Sequence, residues 1–355
     1  MNIIHGYFRW VILLLVAAIT ASIIFIQIGN PKVKAETILY GPGSNIDSVA
    51  FWSNRSTNDT LLFVSSKDSH LVEIWHFPFS GSEQPPLLFD EGEIINGVAV
   101  DERTDRLFIT GAVKQTGTYQ VYVFSLPGLQ PLYQFGKNIL GEGETNLGIL
   151  HLPDSETRIF VTDDHTVYIF RVGEMDATLV GQFQPPVSAL ETVMADDYTQ
   201  LVYVPEERGN SGLAPGIHVY DANGKPYMRD GSNVFGSHDQ FQSDAEGIAL
   251  YRCYDGNIMD TGRGFIVVSD QNVTDLTDFE IFDRATWRYL GNFNIEKVIN
   301  TDGVAVLETA LPGYPDGIFS AVHDDQGTAI LGWREIFGAL DISCESADSN
   351  PQDHR

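Results

Sequence analysis

The chain has 355 residues, with 48 acidic against 21 basic side chains and a formal net charge of −27. A duplex-binding surface needs the opposite sign, so nucleic acid is excluded as a partner class. The length suits one large all-β domain or two ordinary ones, and the acidic excess serves solubility or is neutralised by divalent cations at clustered carboxylates.

The first segment differs from the rest. Trp10 to Ile28 is an uncharged, mostly apolar run long enough to cross a bilayer. It is read as a retained N-terminal anchor, the alternative being a signal peptide cleaved near Ala35, where Val33 and Ala35 form a tolerable small-residue site. Arg9 on one side and Lys32 and Lys34 on the other leave the orientation open. Residues 1–35 are therefore a signal anchor or signal peptide with a short linker, and the membrane is met through this helix only. Asn54, Asn58 and Asn272 each open a glycosylation sequon. Behind a translocation signal they are consistent with a glycoprotein of the secretory lumen or exterior, secreted or anchored. Cys253 and Cys344 either pair in an oxidising compartment or stay as buried thiols.

From residue 36 to 344 the chain repeats. A short apolar strand recurs as Asp47-Ser-Val-Ala, Gly97-Val-Ala-Val, Gly148-Ile-Leu-His, Thr192-Val-Met-Ala, Gly247-Ile-Ala-Leu and Gly303-Val-Ala-Val. Each is followed by a polar turn and a second strand, such as Leu61-Leu-Phe-Val or Arg106-Leu-Phe-Ile. The first units add an aromatic-rich third strand, such as Val167-Tyr-Ile-Phe, and several a weaker fourth, such as Leu132-Tyr-Gln-Phe. Roughly six units of about fifty residues, each of three or four short strands, predict an all-β six-bladed β-propeller. The sixth unit is weak, the third strand being seen only in the first five, and a strand borrowed from around Thr37 to Tyr40 is expected to close the ring. Residues 345–355 read as a polar disordered tail.

Within the fifth unit, Asp244 and Glu246 stand two apart at the start of an alternating strand, which places them on one face. Two carboxylates held that close repel unless a cation lies between them. The pattern points to a metal or acid/base site on the rim of the β-structure. No histidine spacing matches a zinc motif, and His151, His165 and His238 read as surface or turn residues. Neither a Gly-x-Ser-x-Gly elbow nor a P-loop occurs.

Asp244-Ala-Glu-Gly-Ile-Ala-Leu-Tyr, the Ser269-Asp-Gln ending, Asn300-Thr-Asp-Gly-Val-Ala-Val, Tyr314-Pro-Asp-Gly and Trp333-Arg-Glu-Ile resemble the β-propeller phytases. Weaker likenesses in the first half are Asp47-Ser-Val-Ala-Phe-Trp, Val64-Ser-Ser-Lys67, Ile95-Asn-Gly-Val and Glu206-Glu207. The resemblance spans nearly all of residues 40 to 340. It implies a monomeric, calcium-dependent phosphomonoester hydrolase of 3-phytase type, acting on phytate or a related phosphate ester through metal-activated water. By position it implies Asp47, Glu191, Glu207, Asp244, Glu246 and Asp302 as calcium ligands. Glu246, Asp302, Lys67 and Gln271 are implied as catalytic, with Lys67 gripping a phosphate and Gln271 hydrogen-bonding in the same cleft.

Departures from the family pattern fall on its phosphate-gripping positions. Asp101 stands near where an arginine is expected, and only Lys114 lies near a second arginine position. Asn146 to His151 lacks the family's tyrosine, and Asp163-Asp164-His165-Thr166 holds no lysine or arginine. Ser48 replaces a second aspartate. These losses support an alternative, a degenerate phytase-like propeller serving as a calcium- or ligand-binding ectodomain. Plainer readings of single residues are turn chemistry for Asp302 in Thr-Asp-Gly and a solvated surface lysine for Lys67.

Overall fold

Strand residues here are buried on both sides, and the reason is visible in their alternation. In the second strand of the first unit, Leu62 and Val64 pack toward the sixth unit while Leu61 and Phe63 pack toward the second. Successive side chains of a strand leave opposite faces, so a sheet sandwiched between two others needs apolar residues at both parities.

The computed structural model describes residues 30–347 except 55, 58, 80–82, 90–92, 114–115, 142, 188, 208–215, 237–238 and 257–258. The expected N-terminal anchor, Asn58, Lys114 and His238 lie outside the described residues. Six antiparallel sheets are arranged as a six-bladed β-propeller. The first strands, innermost in each blade, are Ile46–Asn54, Glu93–Asp101, Leu147–His151, Met194–Asp196, Asp244–Asp255 and Val304–Leu307. We number the blades I to VI in that order. Six apolar clusters fill the spaces between neighbouring blades, one for each junction.

Ring closure takes the form expected from the short sixth unit. Thr37–Leu39 is the outermost strand of blade VI, pairing antiparallel with Gly327–Gly332. The strand Lys32–Val33 adds in parallel to the outer edge of blade V. One helix, Trp333–Leu340, follows the last strand and buries Trp333 and Ile336. Strand periodicity left it unpredicted, because it is a single short amphipathic stretch. Cys253 and Cys344 are joined in a disulfide that fastens the segment after this helix to the inner strand of blade V. Order continues past Cys344 to Ala347, which is buried. Among the described residues, no helix is long and apolar enough to cross a membrane.

Candidate metal centre at the mouth of the channel

The repeat builds the site by placing equivalent residues in one ring. In four blades a hydroxyl of the second strand accepts a hydrogen bond from the backbone amide at the head of the inner strand. The pairs are Ser48–Ser65 at 2.9 Å, Gly97–Thr110 at 2.7 Å, Asn146–Thr162 at 2.9 Å and Gly247–Ser269 at 2.7 Å. Thr110 and Thr162 also donate to the carbonyls of Thr145 and Glu191 in the next blade. The residue immediately before each clamped position is therefore equivalent in four blades, as Asp47, Asn96, Thr145 and Glu246, and Glu191 and Asp302 hold the corresponding places before the inner strands of blades IV and VI.

Glycine in blades V and VI brings neighbouring blades close at this level. A Cβ on Gly247 would sit 2.6 Å from the carbonyl oxygen of Asp302, and one on Gly303 would run into that of Asp47. Any larger residue would push neighbouring blades apart at the channel mouth.

A second ring comes from the turns after the second strands. Two residues beyond the hydroxyl position, or its equivalent in blade IV, stand Lys67, Asp164, Glu207 and Gln271. All four line a cavity of about 370 Å³ together with Asn45, Glu144, Glu191, Glu246, Asn300, Asp302 and Asp325. Among the described residues its lining holds seven carboxylates and a single cation, Lys67.

The Lys67 ammonium lies 2.6 Å from an oxygen of Asp47 and 2.6 Å from Oε2 of Glu144. Burial opposes its charge, but Asp47, Glu144 and Glu191 outweigh that and hold its pKa well above the usual lysine value. Asp47, Glu144 and Glu191 offer oxygens within 4.8 Å of one another, close enough to share an ion. Burial pushes Asp47 up despite Lys67. For Glu144 burial acts the same way, but the ammonium outweighs it and its pKa falls below the usual range.

On the remaining carboxyls the pull of Lys67 is outweighed. Burial, then the charges of Asp47 and Glu144, drive Glu191 well above its ordinary pKa. Burial followed by Glu191 and Asp302 does the same to Glu246. Asp302 is pushed up to about 7, by burial first and Asp47 second, and accepts a short hydrogen bond from Gln271 Nε2. Glu207 is raised by burial and by Asp244, and Asp325 chiefly by burial.

Several buried ring atoms lack hydrogen-bond partners among the described residues: Glu246 Oε2, Asn96 Oδ1 and Thr145 Oγ1. Unsatisfied buried oxygens are costly and rare. A set of hard oxygen donors, over-full of negative charge and partly orphaned, fits a calcium-type cation on the chemistry of its donors.

Of the sequence-predicted residues, the structure brings Lys67, Glu191, Glu207, Glu246, Gln271 and Asp302 into one cavity wall. Asp47 joins them through Lys67. Asp244 is not in the wall; its charge acts on Glu207 at the edge, and a bulge in the strand pairing separates Ala245 from Ile248. Lys67 is buried at 8 % exposure and not a solvated surface residue, since two carboxylates draw it inward. Glu144, Asp164, Asn300 and Asp325 were not singled out from the sequence, although counting two residues past Thr162 in the repeat finds Asp164. A second acidic group on blade V, Asp270, Asp278 and Glu280, is largely taken up by internal bonds, though Glu280 Oε2 is buried without a hydrogen-bond partner among the described residues. Asp270 accepts the amides of Gln242 and Ser243, Asp278 the amides of Asn30 and Asn294, and Glu280 that of Asn292.

At the opposite mouth the charges are paired. His151 bridges Asp101 at 3.0 Å and Asp197 at 2.9 Å. It is thus neither a surface nor a turn residue, because carboxylates of the two flanking blades enclose it. Arg284 is fully buried between Asp196 and Asp260.

No family model and no curated protein matches this sequence. Among solved structures, a chain of a mitotic checkpoint complex aligns with a TM-score of 0.51 at 12% identity, covering 84% of this chain and 91% of that one. Hydrazine synthase from Kuenenia stuttgartiensis aligns with a TM-score of 0.51 at 12% identity, covering 89% of this chain and 83% of its own. Likeness at that identity shows the propeller fold alone.

Proposed function

We propose that this protein is a calcium-dependent phosphomonoester hydrolase acting on phytate or a related polyanionic phosphate ester. One observation carries the reading: seven carboxylates face a single lysine in the cavity wall. Such a wall repels a phosphate unless cations are bound first. Asp47, Glu144 and Glu191 would hold one cation, and Glu246, Glu207 and Asp302 supply oxygens for others. Bound calcium would contribute the positive charge that holds phosphate oxygens and favours ionisation of a water. The chain's own groups do the rest. Gln271 fixes the orientation of Asp302 through its amide. Burial and then the charge of Asp47 raise the pKa of Asp302, a penalty on its charged form that a bound cation would relieve. Lys67 provides a point charge for a phosphate oxygen.

A binding-only ectodomain is the second reading. It is favoured by the absence of any base other than Lys67 from the described cavity wall, because a polyphosphate ester is ordinarily gripped by several. The deciding assay is phosphate release from calcium phytate by the purified chain, with and without chelator, alongside Asp302→Ala. Release that chelator and Asp302→Ala both abolish is the expected result. No release at any pH or calcium level, with calcium still raising the melting temperature, establishes binding without turnover.

A further inference from the structure

Lys67 occupies the position a cation would take. Its ammonium is 2.6 Å from both Asp47 and Glu144, and those two carboxylates, with Glu191, are the trio whose oxygens lie within 4.8 Å of one another. A divalent cation that bridged Asp47 and Glu144 through the oxygens now meeting the ammonium would have to take the ammonium's place. Neither is the lysine idle on the surface, since only 8 % of it is exposed. Beside the trio, Thr145 Oγ1 and Glu246 Oε2 are buried without hydrogen-bond partners. The ammonium therefore leaves oxygen donors of the ring unsatisfied, whereas a larger coordination sphere could use them.

We propose that Lys67 is a built-in counter-ion that competes with the first divalent cation for Asp47, Glu144 and Glu191. Entry of the cation displaces the ammonium from this trio into the cavity, where it becomes free to meet an anion. The site then binds in a fixed order, metal before phosphate, and each ligand raises the affinity of the other through the same side chain. Without metal, the only cation among the described residues of the wall is held by two carboxylates, and the cavity rejects phosphate. This inference rests on the metal-site reading of the proposed function and adds the order of assembly to it.

The test is calorimetric titration of calcium into the full chain and into Lys67→Met, each with and without inorganic phosphate, with thermal melts in chelator confirming the fold. Removal of a like charge at contact distance is expected to tighten calcium binding by roughly tenfold or more. Phosphate should tighten calcium binding in the native chain and do so less in the variant. A folded Lys67→Met that binds calcium no more tightly than the native chain overturns the competition while leaving the metal site standing. If neither form binds calcium, the competition and the metal reading both fall; if only the variant binds, the competition is upheld in its strongest form. Should Lys67→Met not fold, the native chain supplies the answer: acylation of Lys67 by an amine reagent, followed by mass spectrometry, should rise when calcium is added. Unchanged or reduced labelling overturns the proposal.

Discussion

Glu246 is held among like charges: Glu191 and Asp302 act on it, and its Oε2 is buried without a hydrogen-bond partner. A carboxyl whose pKa is raised by folding contributes stability that is fully present below its unfolded value. That contribution is lost as pH rises through the folded value. Glu246→Gln removes this penalty, so in chelator at pH 8 the variant should melt above the native chain, by ~1–3 kcal/mol of added stability. At pH 4 the two should nearly coincide. With calcium added the order should reverse, because the variant loses a charged ligand. Melting curves at both pH values decide the matter, and a lower melt for the variant in chelator at pH 8 would show that Glu246 is not repelled. The sequence made Glu246 legible, since a carboxylate two residues from another before an alternating strand is a local pattern. Asp164 and Asp325 were illegible for the opposite reason. They reach the cavity only through the register of turns in other blades, and a lone Asp-Asp pair in a turn looks like turn chemistry.

His151 performs a task between elements. It ends the inner strand of blade III and bridges Asp101 of blade II and Asp197, which follows the inner strand of blade IV. Burial works against its charge, but the two carboxylates outweigh it and raise its pKa from 6.5 to about 9. A raised histidine contributes stability that is fully present below about 6.5 and is lost as pH rises through about 9. His151→Asn should therefore cost ~1–3 kcal/mol at pH 6, by leaving the buried Asp101 without its cation while Asp197 keeps Arg103. The gap between native and variant melting temperatures should narrow steadily from pH 7 to 10. A gap independent of pH would mean that the imidazole bridges as a neutral group. The strands themselves were legible, because Val, Ile, Phe and Tyr at both parities specify a sheet buried on two faces. The bridge was not, because the partners of His151 lie 50 and 46 residues away in sequence and no local pattern joins them.

Closure of the whole ring and assembly of the site meet at one seam. Thr37–Leu39 completes blade VI, and Leu39 packs in the cluster between blades VI and I with Ile46, Val49, Ile318 and Ile330. At the channel end of that same junction, Gly303 abuts the backbone of Asp47, which sets Asp302 and Asp47 side by side. The weakness of the last repeat made the closure legible, though which strand of blade VI was borrowed was not. The coupling to the site was not, because it depends on where the seam falls relative to the carboxylates. Leu39→Ala leaves a cavity in this junction and should cost ~2–4 kcal/mol. An equal cavity elsewhere, such as Leu150→Ala between blades III and IV, should cost a similar amount. The two differ in their response to calcium. If ligands on both sides of the seam share a cation, a looser seam weakens binding, and by linkage calcium stabilises the closed seam. Leu39→Ala should lower calcium affinity several-fold and recover part of its lost melting temperature when calcium is in excess. Leu150→Ala should bind calcium more nearly as the native chain does. Equal calcium affinities in the two variants would mean that the seam and the site are mechanically independent.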